Sequence, residues 1–351
     1  MSVDLHHHGD RDVAPGLVDL AVNVRLPAPP PWLADVIAGS LHDLGRYPDA
    51  TPAVAAIARR HGVDPSCVLP TAGGAEAFTL IARGVECRHP VVVHPQFTEP
   101  EAALAAAGHE VARCVLSREV GFRLDPLAFA AGGEHAIADL VVVGNPTNPT
   151  GVLHPAADVR SLRAPSRVVV IDEAFMDAVP GETESVIGPD LEGLLVVRSL
   201  TKTWGLAGLR VGYVVGDPDV VAALRAVQPP WSVSSPAVAA TVACLSERGV
   251  AEAETGAMTI AADRDVLVRE LAAVGLQVAA PSDAPFVLVD TSPLGPESVR
   301  QDLAHLGFAV RRGETFPGLG ATWVRLAVRD PGTSRAVAAA LAELGRLHHV
   351  A

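Results

Sequence analysis

Residues 194–215 read LLVVRSLTKTWGLAGLRVGYVV, two apolar runs joined by a polar segment that contains Lys202. Neither the run at 194–198 nor the run at 211–215 alternates regularly between apolar and polar residues. Continuous apolar runs of this length are typical of strands that are buried on both faces of a mostly parallel sheet. Lys202 is therefore expected just beyond the end of a buried strand.

The same kind of run recurs upstream, and helical patterns separate the runs. Further strands are predicted at 91–94, 140–144 and 168–172. Helices are predicted at 53–61, 75–83 and 99–107. This alternation of strands and helices favours an α/β doubly wound domain.

After Pro229 and Pro230 the pattern changes. Helices are predicted at 236–248, 250–274, 296–306 and 333–347, and strands at 286–290, 308–312 and 323–328. This mixture predicts a smaller α+β domain. We expect an N-terminal arm at 1–45 that joins the small domain, a large cofactor-binding domain at 46–230, and the small domain at 231–351. Within the arm, the prolines at 27–31 favour an extended linker.

Composition and charge exclude several classes of function. The net charge is −13 and no run of Lys and Arg is long enough to form a polyanion-binding patch, so nucleic acid is not an expected partner. The four cysteines form no CxxC motif, which indicates free thiols in a reducing compartment. The N-terminus lacks the apolar region of a secretory signal, and no stretch of about 18 apolar residues could span a membrane. We therefore expect a soluble cytoplasmic protein without a membrane partner.

Four polar segments follow predicted strands in a defined order. They are NPTNPTG at 145–151, DEAF at 172–175, SLTK at 199–202 and GLAGLR at 205–210. Each segment has an alternative interpretation by itself: a turn, a helix cap at Asp172, or a surface lysine beside a glycine-rich loop. Open α/β sheets bind ligands at the carboxyl ends of their strands. The four segments together therefore predict one site.

The residue types in these segments suit pyridoxal-phosphate chemistry. The amine of Lys202 can form an imine with the cofactor, because the pKa of a lysine falls readily in a buried or positively charged environment. The carboxylate of Asp172 can keep the pyridine nitrogen protonated, so that the ring accepts electrons. The amide of Asn148 can donate to the phenolic oxygen. Groups for the phosphate are offered by Ser199, Thr201 and Arg210.

A glycine-containing segment offers a second contact with the phosphate. Residues 71–76 read TAGGAE and open a predicted helix. Backbone N–H groups at a helix N-terminus favour an anion, and small residues let it approach closely. Gly74 and Ala75 are therefore candidate phosphate ligands.

In combination, these motifs resemble the fold-type-I pyridoxal-phosphate enzymes, in the branch of histidinol-phosphate aminotransferases and threonine-phosphate decarboxylases. The motifs NPTNPTG, DEAF and SLTKTWGLAGLRVGY carry the resemblance, which covers nearly the whole chain. It implies a mostly parallel, seven-stranded sheet and a homodimer with a shared active site. It also implies that Lys202 bonds the cofactor, that Asp172 pairs with the pyridinium and that Asn148 binds the phenolic oxygen. The implied phosphate ligands are Gly74, Ala75, Ser199, Thr201 and Arg210.

The resemblance extends to four further side chains. Phe97, in HPQF at 94–97, matches the aromatic that stacks on the ring, with a plain core position as the alternative. Tyr47, in RYPD at 46–49, resembles the tyrosine that reaches the phosphate of the partner subunit. Arg325, in WVRLAV at 323–328, matches the arginine that binds a substrate carboxylate or phosphate, and Asn23 resembles an asparagine of the substrate pocket.

Substrate phosphate could also meet the N-terminal arm and a pair of arginines. His8, in the sequence HGD at 8–10, resembles the HGG opening of threonine-phosphate decarboxylases, although Asp10 departs from it. A metal site or a tag remnant is the alternative for the histidines at 6–8, and we predict no metal. Arg311 and Arg312 could bind the phosphate, or they could flank a strand and face water.

Two features favour a decarboxylase. Phe175 occupies a position where aminotransferases commonly have a tyrosine, and RRGETFPGL at 311–319 is similar to the cobalamin-pathway enzymes. The leading hypothesis is therefore decarboxylation of threonine phosphate, and the alternative is an aminotransferase that uses 2-oxoglutarate with histidinol phosphate or another amino acid. A dinucleotide-dependent dehydrogenase is disfavoured because no GxGxxG follows an early strand. A non-catalytic regulator would need a DNA-binding region, for which the two domains leave no room.

Overall fold

A computed structural model describes residues 4–7 and 9–348 of the chain. Within these residues the strands are β1 (Val18–Leu20), β2 (Val68–Thr71), β3 (Pro90–His94), β4 (Ala112–Val115), β5 (Leu140–Gly144), β6 (Val168–Asp172), β7 (Leu194–Ser199), β8 (Gly212–Gly216), β9 (Phe286–Asp290), β10 (Phe308–Arg312) and β11 (Trp323–Ala327). The α-helices are α1 (Pro31–Gly39), α2 (Thr51–His61), α3 (Gly74–Gly84), α4 (Glu99–Ala106), α5 (Ala156–Arg160), α6 (Pro218–Val227), α7 (Ser235–Cys244), α8 (Glu247–Ala273), α9 (Arg300–His305) and α10 (Pro331–His348).

The larger sheet has seven strands in the order β2-β8-β7-β6-β5-β3-β4. Strand β8 runs antiparallel to both of its neighbours, and the pairs between β7 and β4 are parallel. Strands β3, β5, β7 and β8 are buried along their whole length. Burial on both faces explains why these strands are continuous apolar runs. The predicted mostly parallel α/β sheet is confirmed.

The smaller sheet has the order β1-β10-β11-β9. Strand β11 is antiparallel to β9 and β10, whereas β1, from the N-terminal arm, lies parallel to β10. Leucines and valines of this sheet form one core with Leu267, Leu271 and Leu341 of helices α8 and α10. Strand β1 was absent from the sequence prediction, because only three residues of it pair and just one of them is buried.

Helices α7 and α8 link the two sheets. Residues Ala237, Val238 and Cys244 of α7 share a hydrophobic core with Leu33 of α1 and Ile57 of α2. Helix α8 begins after Ser246, whose hydroxyl accepts the backbone N–H of Gly249 at 3.2 Å. The division of the chain at residues 45 and 230 remains a proposal, and the packing of α7 favours grouping this helix with the larger sheet.

Two further observations bear on the environment of the chain. Cys67, Cys87, Cys114 and Cys244 are all free. Across the described residues, none of the helices is both long enough and apolar enough to cross a bilayer. Location in the cytoplasm stays a prediction.

Candidate active site

The predicted site residues meet in a cavity of about 420 Å³ at one edge of the larger sheet. Strands β5, β6 and β7 run parallel in register, with Gly144 beside Asp172 and Asp172 beside Val197, so the segments that follow them emerge together. Strand β8 is antiparallel, so Arg210, which precedes it, reaches the same edge. The sequence-predicted residues that line the cavity are Asn23, Gly74, Ala75, Phe97, Asn148, Asp172, Ser199, Thr201, Lys202, Arg210, Arg311 and Arg325.

Lys202 and Asp172 have pKa values shifted toward each other. Burial, with repulsion from Arg325 and Arg210, lowers the pKa of Lys202 to about 8. Burial raises the pKa of Asp172 to about 6, although the N–H of Ala174 and the charge of Lys202 oppose the shift. Lysine amines and carboxylates with such shifted pKa values are typical of catalytic sites. Lys202 is also the only lysine of the chain, a signal that the sequence offers independently of any motif.

One wall of the cavity is suited to a phosphate. Helix α3 begins at Gly74, and the positive end of its dipole faces the cavity with Gly74 and Ala75. The hydroxyls of Ser199 and Thr201 lie 2.7 Å apart at the same wall. The two hydroxyls, the N–H groups at the start of helix α3 and the guanidinium of Arg210 are together suited to form an anion cradle.

Gly73 lets Arg210 approach the start of helix α3. Its φ of +80° and ψ of 175° belong to a region that is essentially restricted to glycine. A Cβ at this position would lie 2.8 Å from Nη2 of Arg210. A side chain here would therefore push the guanidinium out of the cradle.

A second wall of the cavity carries buried donors. Arg325 is 4% exposed, donates from Nη1 to Oδ1 of Asn148 at 2.6 Å, and donates from Nη2 to the carbonyl of Ala21. Because Oδ1 of Asn148 accepts this bond, its Nδ2 group is left to donate to something else in the cavity. Nε of Arg325 and both amide atoms of Asn23 are buried without a hydrogen-bond partner among the described residues. Such orphaned polar atoms fit a polar ligand.

Arg311 adds a second guanidinium to this wall. It lies directly opposite Arg325 in the antiparallel pair of β10 and β11, and it is also 4% exposed. Its Nη1 lies 3.5 Å from Oδ2 of the buried Asp12, and its Nη2 donates to the carbonyl of His7 at 2.8 Å. Asp12 was not anticipated from the sequence, since no motif marks it and its contact is 299 residues away.

Two of the predicted residues, Arg312 and Tyr47, do not line the cavity of the single chain. Arg312 is not among the described residues that line the cavity. Successive side chains of a strand point to opposite faces, so Arg312 points away from the face that Arg311 shares with the cavity. Nη2 of Arg312 lies 2.8 Å from Nδ1 of His7. Tyr47 also lies outside the cavity in the single chain: it is 75% exposed and stacks on Trp231 with ring centroids 4.2 Å apart. His8 lies outside the described residues, and of the predicted HGD segment Gly9 and Asp10 line the cavity.

A sequence model of the family described as aminotransferase class I and II matches residues 15–343. The chain belongs to the class I and II aminotransferases. Its cofactor, like that of the family, is pyridoxal phosphate.

Individual relatives of this chain bear two different names. A Mycobacterium tuberculosis protein named histidinol-phosphate aminotransferase is 45% identical over 326 residues, which cover 92% of this chain and 86% of the relative. A threonine-phosphate decarboxylase of Salmonella typhimurium is 29% identical over 333 residues, covering 93% of this chain and 90% of the relative. The structure of a histidinol-phosphate aminotransferase from Clostridium acetobutylicum matches this chain with a TM-score of 0.83 at 23% sequence identity. The match covers 94% of this chain and all of the Clostridium chain, and it supports the fold. The sequences thus support the aminotransferase alternative better than the decarboxylase.

Proposed function

We propose that this chain transfers the amino group of histidinol phosphate to 2-oxoglutarate. The observation that carries the proposal is the pair of buried guanidinium groups, Arg311 and Arg325, on neighbouring strands and in the same cavity as Lys202. Paired guanidinium groups are natural ligands of a phosphate. The relatives at 45% identity that bear the name of this activity support the same substrate.

The cavity residues fit the cofactor as a set. The cradle of Gly74, Ala75, Ser199, Thr201 and Arg210 would hold its phosphate. Phe97, whose ring lines the cavity, would stack on the pyridine. Asn148 would donate from Nδ2 to the phenolic oxygen, an orientation that its bond from Arg325 favours.

Two residues would handle the charge and the protons of the reaction. When bound, pyridoxal phosphate supplies an electron sink for the bonds at the substrate Cα. Asp172 would hold a proton on the pyridine nitrogen across a charge-assisted hydrogen bond. The amine of Lys202 would take the proton from the substrate Cα, and its lowered pKa leaves a larger fraction of the amine unprotonated near neutral pH.

Amino transfer is tested directly with the purified holoenzyme. Histidinol phosphate and 2-oxoglutarate are supplied together, and glutamate is measured by mass spectrometry; omission of either substrate is the control. Formation of glutamate that depends on both substrates is expected. Absence of glutamate from histidinol phosphate, with glutamate formed from another amino donor, would reject this substrate but not the reaction.

Decarboxylation of threonine phosphate is a second candidate, and Phe175 favours it. Phe175 lines the cavity and packs edge-on against Phe286 with ring centroids 5.0 Å apart. No hydroxyl is therefore available at this position to help hold the phenolic oxygen. Incubation with threonine phosphate alone separates the two candidates: CO₂ and a phosphorylated aminopropanol would favour the decarboxylase, whereas unchanged substrate would exclude it.

We also propose a homodimer with a shared active site. Exposed apolar side chains are concentrated between residues 36 and 47: Val36, Leu41, Leu44 and Tyr47 are 41%, 52%, 59% and 75% exposed. Apolar patches of this kind mark interaction surfaces. A second copy that covers this segment would bring Tyr47 toward the phosphate of its partner.

A further inference from the structure

A buried contact joins the segment that follows Asp172 to the turn that carries Lys202. The hydroxyl of Thr203 donates a 2.6 Å hydrogen bond to Oδ2 of Asp177. Thr203 is 8% exposed, and Oδ1 of Asp177 is shielded from solvent. Because Thr203 directly follows Lys202, this bond acts on the backbone from which the amine extends.

An ion pair joins the same two segments closer to the sheet. Nε of Arg198 lies 2.9 Å from Oε2 of Glu173, and both side chains are buried. Glu173 also accepts the hydroxyl of Ser185 at 2.8 Å and the N–H of Val186 at 2.9 Å. Glu173 follows Asp172, so this pair fixes the ends of β6 and β7 relative to each other and leaves the turn beyond Ser199 to be held by other contacts.

Those other contacts lie on both sides of Lys202. Backbone N–H groups of Arg25 and Leu206 donate to the carbonyls of Lys202 at 3.0 Å and Thr201 at 3.1 Å. The bond from Thr203 to Asp177 adds a side-chain restraint that leads back to the Asp172 segment. Asp177 itself lines a separate cavity of about 50 Å³, and it is not among the described residues around the cofactor cavity.

We propose that Asp177 is a positioning residue: by accepting the hydroxyl of Thr203, it holds the turn so that the Lys202 amine and the Asp172 carboxylate keep their relative placement. The inference rests on the roles proposed for Lys202 and Asp172. Either an ionised or a protonated carboxyl can accept this bond, and burial raises the pKa of Asp177 to about 6. An amide oxygen can therefore replace the carboxyl in this role.

The test uses two variants that remove the bond and two that keep it. Asp177→Ala removes the acceptor and Thr203→Val removes the donor, while Asp177→Asn and Thr203→Ser retain the two groups. Thr203→Val is nearly isosteric, so it serves if Asp177→Ala folds poorly. Arg60→Gln is the control, because the hydrogen bond that the structure gives the Arg60 side chain, 3.0 Å to Oε1 of Glu182, involves neither Asp177 nor Thr203.

The holoenzymes are compared by the pH midpoint of the visible band of the lysine-bound cofactor, by kcat and KM, and by thermal unfolding. Asp177→Ala and Thr203→Val are expected to shift the midpoint and to lower kcat about 10- to 100-fold, since small displacements of a reacting group have effects of this size. Asp177→Asn and Thr203→Ser are expected to stay within about threefold of the wild type, and Arg60→Gln to lower the unfolding temperature without moving the midpoint.

Asp177→Ala and Thr203→Val could both keep the wild-type midpoint and kcat and show only a lower unfolding temperature. That result would show that the contact is purely structural, and it would overturn the proposal. A different result is expected if the roles proposed for Lys202 and Asp172 are themselves wrong. If Lys202→Ala kept the visible band, the role of Lys202 would be wrong, and this inference would fall with it.

Discussion

Among single residues, Lys202 is unusual because it is the one lysine of the sequence, and all other strongly basic side chains are arginines. A guanidinium stays protonated and cannot act as a nucleophile, so amine chemistry in a side chain is confined to one position. Chemical modification of lysine in this protein therefore reports on the proposed site alone, apart from the N-terminal amine.

Replacement of Lys202 should remove the covalent attachment of the cofactor. Lys202→Ala is expected to lose the visible absorption band and to lower turnover by at least about 10²- to 10⁴-fold, the range of a lost general acid–base group. Borohydride reduction followed by intact-mass measurement checks this: the wild type should gain one cofactor adduct and the variant none. An adduct on the folded variant would contradict the assignment.

The lowered pKa of Lys202 predicts how cofactor capture depends on pH. Only the unprotonated amine attacks the cofactor aldehyde, so the capture rate of the cofactor-free protein should rise with pH through about 8 and level off above it. Asp172→Asn should move this midpoint lower, because the negative charge of Asp172 raises the pKa of Lys202. Stopped-flow absorbance measures the rate; a midpoint near the ordinary value of 10.5 would show that burial does not act on this amine.

Asp172→Asn should leave cofactor binding intact while it lowers the turnover of the enzyme. The phosphate cradle and the lysine are unchanged in this variant, so the cofactor should remain bound. Turnover should fall by about 10²- to 10³-fold, because an amide does not stabilise a protonated pyridine nitrogen. Near-normal turnover with full cofactor content would mean that another group controls this nitrogen.

At the scale of elements, the start of helix α3 depends on a glycine. Gly73→Ala is expected to displace Arg210, to weaken phosphate binding about tenfold, and to destabilise the fold by about 1–3 kcal/mol through backbone strain. Gly62→Ala is the matched control, since Gly62 ends α2 at a φ of +64° and a Cβ there would meet nothing within 4 Å. The control should lose about 1 kcal/mol without a change in cofactor affinity.

Cofactor titration and thermal unfolding of the two glycine variants separate these effects. If Gly62→Ala weakened cofactor binding as much as Gly73→Ala does, general destabilisation of the fold would explain the lost affinity. The contact of Gly73 with Arg210 would then not matter for cofactor binding.

At the scale of the whole molecule, a shared site predicts complementation between inactive variants. If Tyr47 acts on the partner subunit, a hybrid dimer of Lys202→Ala and Tyr47→Ala chains has one site with both residues intact. An equal mixture that exchanges subunits should then recover about a quarter of the wild-type activity. If Tyr47 acts within its own chain, each hybrid site carries one substitution and no activity should return. Native mass spectrometry, which separates hybrid from parental dimers by mass, confirms that hybrids form.

Local patterns in the sequence are sufficient to predict the larger sheet and the polar segments at the ends of its strands. The apolar runs at 140–144 and 168–172 coincide with β5 and β6. Parallel strands in such a sheet present their carboxyl ends at one edge, so the sequence alone predicts that Asn148, Asp172 and Lys202 lie together. Short or exposed elements escaped prediction: β4 has one buried residue in four, which leaves no apolar run to detect.

The arrangement of Arg311 and Arg325 in the cavity was decided by tertiary structure. Arg325 meets Asn148 across 177 residues, and Arg311 meets Asp12 across 299. Which of two adjacent arginines faces the cavity depends on which face of β10 packs against helices α8 and α10, and Phe308 and Val310 lie on that packed face. The sequence by itself determined the sheet, the cofactor and the residues at the strand ends, because these depend on local periodicity. Only the fold decided which charges face the cavity, because those positions depend on contacts between distant segments.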